Sequence, residues 1–170
     1  MHIRNVTSAI FGLALLIGAT GCGSESHPKD AGDWSYNPPA DFTQQDKQKN
    51  GATVFLGPQD SGFTANLMVQ AIGDQNKDAK TLGQEVLTKA TAQSGVTVKE
   101  QEPYSLGDSD AYTWLISRTG KNGLIAQQRQ FIVKKNHVAV RFTLSASEKS
   151  MPKWDQALAD SFQSFKWGRQ

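Results

Sequence analysis

The segment GLIAQQRQFIVKKNHVAVRFTL, Gly123–Leu144, decides the fold class. In its second half Val138, Val140, Phe142 and Leu144 alternate with His137, Ala139, Arg141 and Thr143. A period of two sends successive side chains to opposite faces of an extended chain, so one face is buried and the other is wet or lightly covered. Leu124, Ile125, Phe131, Ile132 and Val133 supply an apolar arm before it, and Lys134-Lys135-Asn136 between the arms marks a turn. The stretch reads as two adjacent strands that the rest of the chain covers or extends.

Working outward, Ala52–Leu56 forms a short apolar strand closed by the turn residues Gly57–Gly62. Phe63, Ala65, Leu67, Val69 and Ala71 then alternate with polar neighbours, which completes a first hairpin, and Phe42–Gln45 suits a short edge strand. A strand from Val96 to Tyr104 pairs with Ala111–Ser117 across a turn at Leu106–Asp110, and Tyr112, Trp114 and Ile116 share one face of the second. Gly120-Lys121-Asn122-Gly123 is a strong hairpin turn by composition. Two segments carry the helical period instead. In the first, Thr81 with Gln84 and Glu85 resembles a capping box, Leu82, Val86 and Ala90 share a face, and Gly95 suits a left-handed cap. In the second, Ser150 is placed to cap a helix over Met151–Phe165, with Pro152 in its first turn and a stripe of Trp154, Leu158, Phe162 and Phe165. The order predicts an α+β fold, an antiparallel sheet of about six to seven strands covered by two main helices.

Residues 1–21 have the form of an export signal: Arg4, the apolar run Ala9–Ile17, then Gly18-Ala19-Thr20-Gly21. The apolar run is too short to span a bilayer as a stable helix. Cys22, the single cysteine, follows directly. This junction resembles the lipobox of bacterial lipoproteins, although Ala19 stands where that motif prefers Leu. The resemblance implies cleavage after Gly21 and a lipid on Cys22. Residues 22–33 are then a polar tether, and 34–170 a single folded domain. The expected location is the cell membrane or outer membrane, lipid-anchored and facing the periplasm or the extracellular side.

The domain resembles the PsbP-like superfamily of small exported α+β proteins, which includes DcrB- and LpqN-type lipoproteins and a cyanobacterial lipoprotein form. The residues that carry the likeness are Tyr36–Phe42, Gly107–Tyr112, and Trp154 through Ser161-Phe162. They mostly report packing. The resemblance implies a PsbP-like α/β sandwich and action through protein contacts, photosystem II assembly among them in a photosynthetic host, with no catalytic constellation.

The chain's 18 Lys and Arg against 16 Asp and Glu leave a formal charge of +2, which argues against nucleic acid as a partner. For catalysis, His137 is the histidine of the expected domain, and no Gly-x-Ser-x-Gly elbow accompanies it. No cofactor is expected. Asp108 and Asp110 have the spacing that can begin a calcium loop but lack the later Gly and Glu, so no metal site is assigned; His137 would be the first candidate ligand. Arg118, Arg129 and Arg141 fall within strands, and Tyr112 and Trp114 lie nearby. Together these five residues make a candidate partner-binding patch, since arginine and aromatics are enriched at interfaces. The expected function is a non-enzymatic, membrane-anchored module, monomeric in its domain, that binds or assembles a protein partner at the envelope. The alternative is a small-molecule or lipid-binding module.

Overall fold

The structure is a computed structural model that describes residues 34–45, 52–60, 62–72, 76–120 and 123–168. The expected signal segment, Cys22, the tether and the tip of the turn at Lys121-Asn122 lie outside them. In chain order the elements are β1 (Trp34–Ser35), β2 (Thr43–Gln44), β3 (Thr53–Asp60), β4 (Phe63–Ile72), α1 (Ala79–Thr91), β5 (Val96–Leu106), β6 (Ser109–Thr119), β7 (Ile125–Lys135), β8 (Val138–Ser147), α2 (Met151–Phe162) and β9 (Lys166–Trp167). The α+β architecture expected from the alternation is present: a seven-stranded sheet in the order β2-β3-β4-β8-β7-β6-β5, antiparallel throughout, with a helix on each face. A separate ribbon pairs Trp34 with Trp167 and Ser35 with Lys166.

The deciding stretch forms β7 and β8, with Phe131 opposite Phe142 and Val133 opposite Val140. Its turn falls one step later than expected. Lys134 and Lys135 belong to β7, and Asn136-His137 make the turn, with Asn136 at φ 53°. Asn tolerates that left-handed conformation, which a two-residue hairpin demands.

Cap positions also differ. The N-cap of α1 is Asp78, in extended conformation, and its carboxylate accepts the Thr81 N–H at 2.6 Å; Thr81 is the residue being capped. A second carboxylate arrives from far along the chain, because Asp110 accepts the Ala79 N–H at 2.7 Å. At the other end α1 stops at Ala92 in right-handed conformation, and Gly95 (φ 78°) instead turns the chain into β5. Ser150 does not cap α2 through its side chain. Its hydroxyl lies 2.7 Å from the Ser147 hydroxyl.

The two faces hold two cores. On one, α2 lays Trp154, Leu158 and Phe162 against Leu67, Phe131, Val140, Phe142 and Leu144. Phe165, just beyond the helix, completes the stripe and is buried too. Phe162 is the centre of this core, with ring centroids 4.7 Å from Phe131, 4.9 Å from Phe142 and 5.8 Å from Tyr104. Burial of each such side chain contributes about 1.5–3 kcal/mol. On the other face α1 sets Leu82, Leu87 and Ala90 over Tyr112, Trp114, Ile116, Ile132 and Ala139. Gly83 makes that approach close: a Cβ there would stand 2.5 Å from Tyr112 Cδ1 and 3.0 Å from Trp114 Cζ3.

Candidate functional site

A cleft of about 380 Å³ opens between α2 and the outer strands β5, β6 and β7. Strand register sets the ion pairs at its polar end. Glu100 on β5 stands opposite Leu115 on β6, which stands opposite Arg129 on β7, so the carboxylate and the guanidinium face the same way across one buried Leu. The helix then brings Asp155 over them. Arg129 Nε donates to the two Asp155 carboxylate oxygens at 3.0 and 3.2 Å, and Nη2 donates to Asp155 at 2.9 Å and to Glu100 at 2.5 Å. The Arg129 side chain is 8 % exposed, against 28 % for Asp155 and 54 % for Glu100. Burial opposes the Arg129 charge, but the hydrogen bonds and charges of Asp155 and Glu100 outweigh it and hold the guanidinium above its ordinary pKa.

The apolar lining comes from Tyr104 and Phe131, whose rings meet edge to face at 5.3 Å, and from Pro152 and Ala159 on the helix. Glu102 adds a second carboxylate to the lining, beside Asp155, while Glu100 stands just outside it. The cleft lining therefore carries one cation against two carboxylates, and that cation's Nε and Nη2 are already engaged. Such a surface favours cationic or hydrogen-bond-donating groups over anions.

The five residues expected to form one partner patch are divided between the faces. Arg129 lies on the α2 face, in the cleft. Tyr112 and Trp114 are 3 % and 0 % exposed beneath α1 and present no surface. Arg118 donates to Gln93 at 3.4 Å just past the end of α1. Arg141 lies on the α1 side between β4 and β7, donating to Gln70 at 3.1 Å. The alternation had shown that Tyr112, Trp114 and Ile116 share a face, but not that a helix covers it.

The acidic turn is accounted for by structure. Asp108 pairs with Lys135 at 3.0 Å, and that hydrogen bond holds its carboxyl below the usual range; Asp110 caps α1. His137 belongs to the β7–β8 turn, not to a strand. Among the described residues no group of three or more His, Cys, Asp or Glu side chains could hold a metal ion. Asp155 and Glu100 were missed as partners of Arg129, because 26 and 29 residues separate each from it and no local pattern links them.

No family model matches the chain, and no curated protein matches it by sequence. Solved structures do match. LpqN of Mycobacterium tuberculosis, described as involved in cell envelope biogenesis, superposes with a TM-score of 0.67 at 14 % identity, covering 84 % of this chain and 88 % of that one. The cyanobacterial PsbP protein CyanoP of Synechocystis gives 0.60 at 15 % identity over 82 % of this chain and 89 % of that one. The Saccharomyces cerevisiae Ran-binding protein Mog1p gives 0.56 at 11 % identity over 79 % and 89 %. The chain thus has the fold these proteins share, the Mog1/PsbP-like α+β fold.

Proposed function

We propose that this chain is a lipid-anchored module of the cell envelope whose domain binds a protein partner and catalyses no reaction. The observation that supports the reading is the likeness, over 84 % of the chain, to LpqN, a protein described as involved in cell envelope biogenesis. The sequence supports it from the other end, since Cys22 follows an export-type segment in a lipobox-like context. On the domain, the cleft at Arg129 is the binding surface we assign. Its aromatic lining and surplus of carboxylates suit a partner that contributes a basic side chain. The cleft volume also suits a small ligand, which is the second reading.

The test is capture from native membranes by cross-linking, wild type beside Cys22→Ala, with palmitate-analogue labelling in parallel. The reading expects label on the wild type alone and a defined envelope partner captured by the anchored form. Equal recovery of the bare monomer from both forms would replace it with the small-ligand reading.

A further inference from the structure

Arg129 and Arg141 lie on opposite faces of neighbouring strands, and the fold treats them differently. Arg129 gives its Nε–Nη2 edge to a carboxylate, that of Asp155. Arg141 presents the same edge on the α1 face. There Nη2 donates to the neutral amide oxygen of Gln70 at 3.1 Å, and Nε is buried with no acceptor. Among the described residues no carboxylate forms an ion pair with it. Arg141 as a whole is partly buried, but its Nε is sealed from solvent, and a buried donor left without an acceptor is costly.

A second open polar atom lies on the same face. Gln130 is 2 % exposed, and its Oε1 is buried without a donor. Gln130 stands opposite Thr143, two residues along β8 from Arg141, so the two are diagonal neighbours within reach of long side chains. Gln130 Nε2 donates to Gln128 Oε1 at 3.4 Å, and Gln128 Nε2 donates to Ser145 Oγ at 3.1 Å. This row is reversible. Turning both amides over lets the Ser145 hydroxyl donate, keeps both bonds, and brings the Gln130 NH₂ to the open position.

We propose that Arg141 and Gln130 form a binding site for the carboxylate of a small organic acid, with Gln70 holding the guanidinium in place. A carboxylate is planar and takes two parallel N–H bonds along the guanidinium edge, as Asp155 does at Arg129. A water could satisfy Nε but would leave the cation without a counter-charge. The surrounding Gln128, Thr143 and Ser145 are between 2 % and 7 % exposed, so a ligand reaches the site only past the partly exposed Arg141, which suits a small molecule better than a partner's side chain. Burial also draws the Arg141 guanidinium below its ordinary pKa, a shift that a bound anion would oppose. The site is independent of the cleft and of the partner-binding reading.

The test is titration of the ¹⁵N-labelled full chain with acetate, following the arginine Nε–H resonances by NMR, with equal concentrations of chloride as the control. The expected result is a saturable shift at Arg141 that chloride does not reproduce and that Arg118 does not share. Arg141→Met should weaken acetate binding by about ten- to hundredfold, the loss expected for a charge-assisted pair. It should retain or raise the melting temperature, because a partly desolvated cation with an unpaired buried N–H has been removed. Gln130→Leu should weaken the response while Arg141 remains visible. A linear drift common to all arginines, or an equal effect of chloride, would overturn the proposal.

Discussion

Gly83→Ala tests how closely α1 sits on the sheet. Two terms of opposite sign compete. Replacing glycine inside a helix by alanine stabilises by about 1 kcal/mol through chain entropy. Against this, the new Cβ would lie 2.5 Å from Tyr112 Cδ1, 3.0 Å from Trp114 Cζ3 and 3.2 Å from Tyr112 Cε1. The shortest of these falls about 0.9 Å short of ordinary contact. Neither ring can retreat into solvent, since both are buried between helix and sheet. The helix must lift, which loosens Leu82, Leu87 and Ala90. Overpacking of this kind costs about 1–3 kcal/mol. The clash wins, and the net expectation is a loss of roughly 1 kcal/mol, or a melting temperature about 3–6 °C lower by calorimetry. Thr88→Ala on the exposed side of the same helix should melt at or slightly above wild type, because it gains propensity without meeting the sheet. A Gly83→Ala variant that melted as high as wild type would refute the close approach of helix and sheet.

Three further outcomes are expected. Trp154→Ala, which empties a 3 %-exposed site against the edge of Phe42, should cost about 3–5 kcal/mol in urea denaturation. Asp155→Ala leaves Arg129 with only the half-exposed Glu100 and should lose about 2–3 kcal/mol, whereas the double change Arg129→Met with Asp155→Leu should recover most of it in the same assay. The Thr81 backbone N–H holds the Asp78 carboxyl below its usual range. A folded pKa below the unfolded one means the cap stabilises above the unfolded value, about 3.9, and is lost as pH falls through the folded value. Melting temperature measured from pH 7 downward should therefore fall in acid, and Asp78→Asn should flatten that fall.

The strands that could be read from sequence are those whose residues alternate in polarity, although the second face of β8, expected to be wet or lightly covered, is largely buried. β4 alternates because one side meets the core and the other is only half-buried, and β8 alternates because an aromatic and aliphatic core lies on one side and a row of small and polar residues on the other. β7 conceals its role. Gln128, Arg129 and Gln130 are consecutive polar residues, yet all three are buried, because this central strand is covered on both faces. A polar run in sequence reads as solvated; here it supplies an ion-pair wall on one side and an amide row on the other. Helix stripes were legible because the 3.6 period needs no partner to be recognised. Caps were less so. Thr81 and Asp78 are both good capping residues three apart, and backbone conformation, not composition, chose Asp78. The grouping of the arginines failed for another reason. Parity along each strand assigns a face only once register is known, and register placed Arg129 apart from Arg118 and Arg141.

The small ribbon that joins Trp34 to Trp167 has a topological consequence. It brings two residues far apart in sequence into contact, Trp34 stacking on Phe165, while Trp167 Nε1 donates to Ser109 at 2.9 Å. A short bridge from residue 168 to residue 34 would therefore span little distance, and the chain could be reopened at the Gly120–Gly123 turn without cutting a strand. In such a circular permutant β7, β8 and α2 would lead the polypeptide and β3, β4 and α1 would follow. The sheet order is blind to that change, so the rearranged chain should reach the same fold from a different starting point.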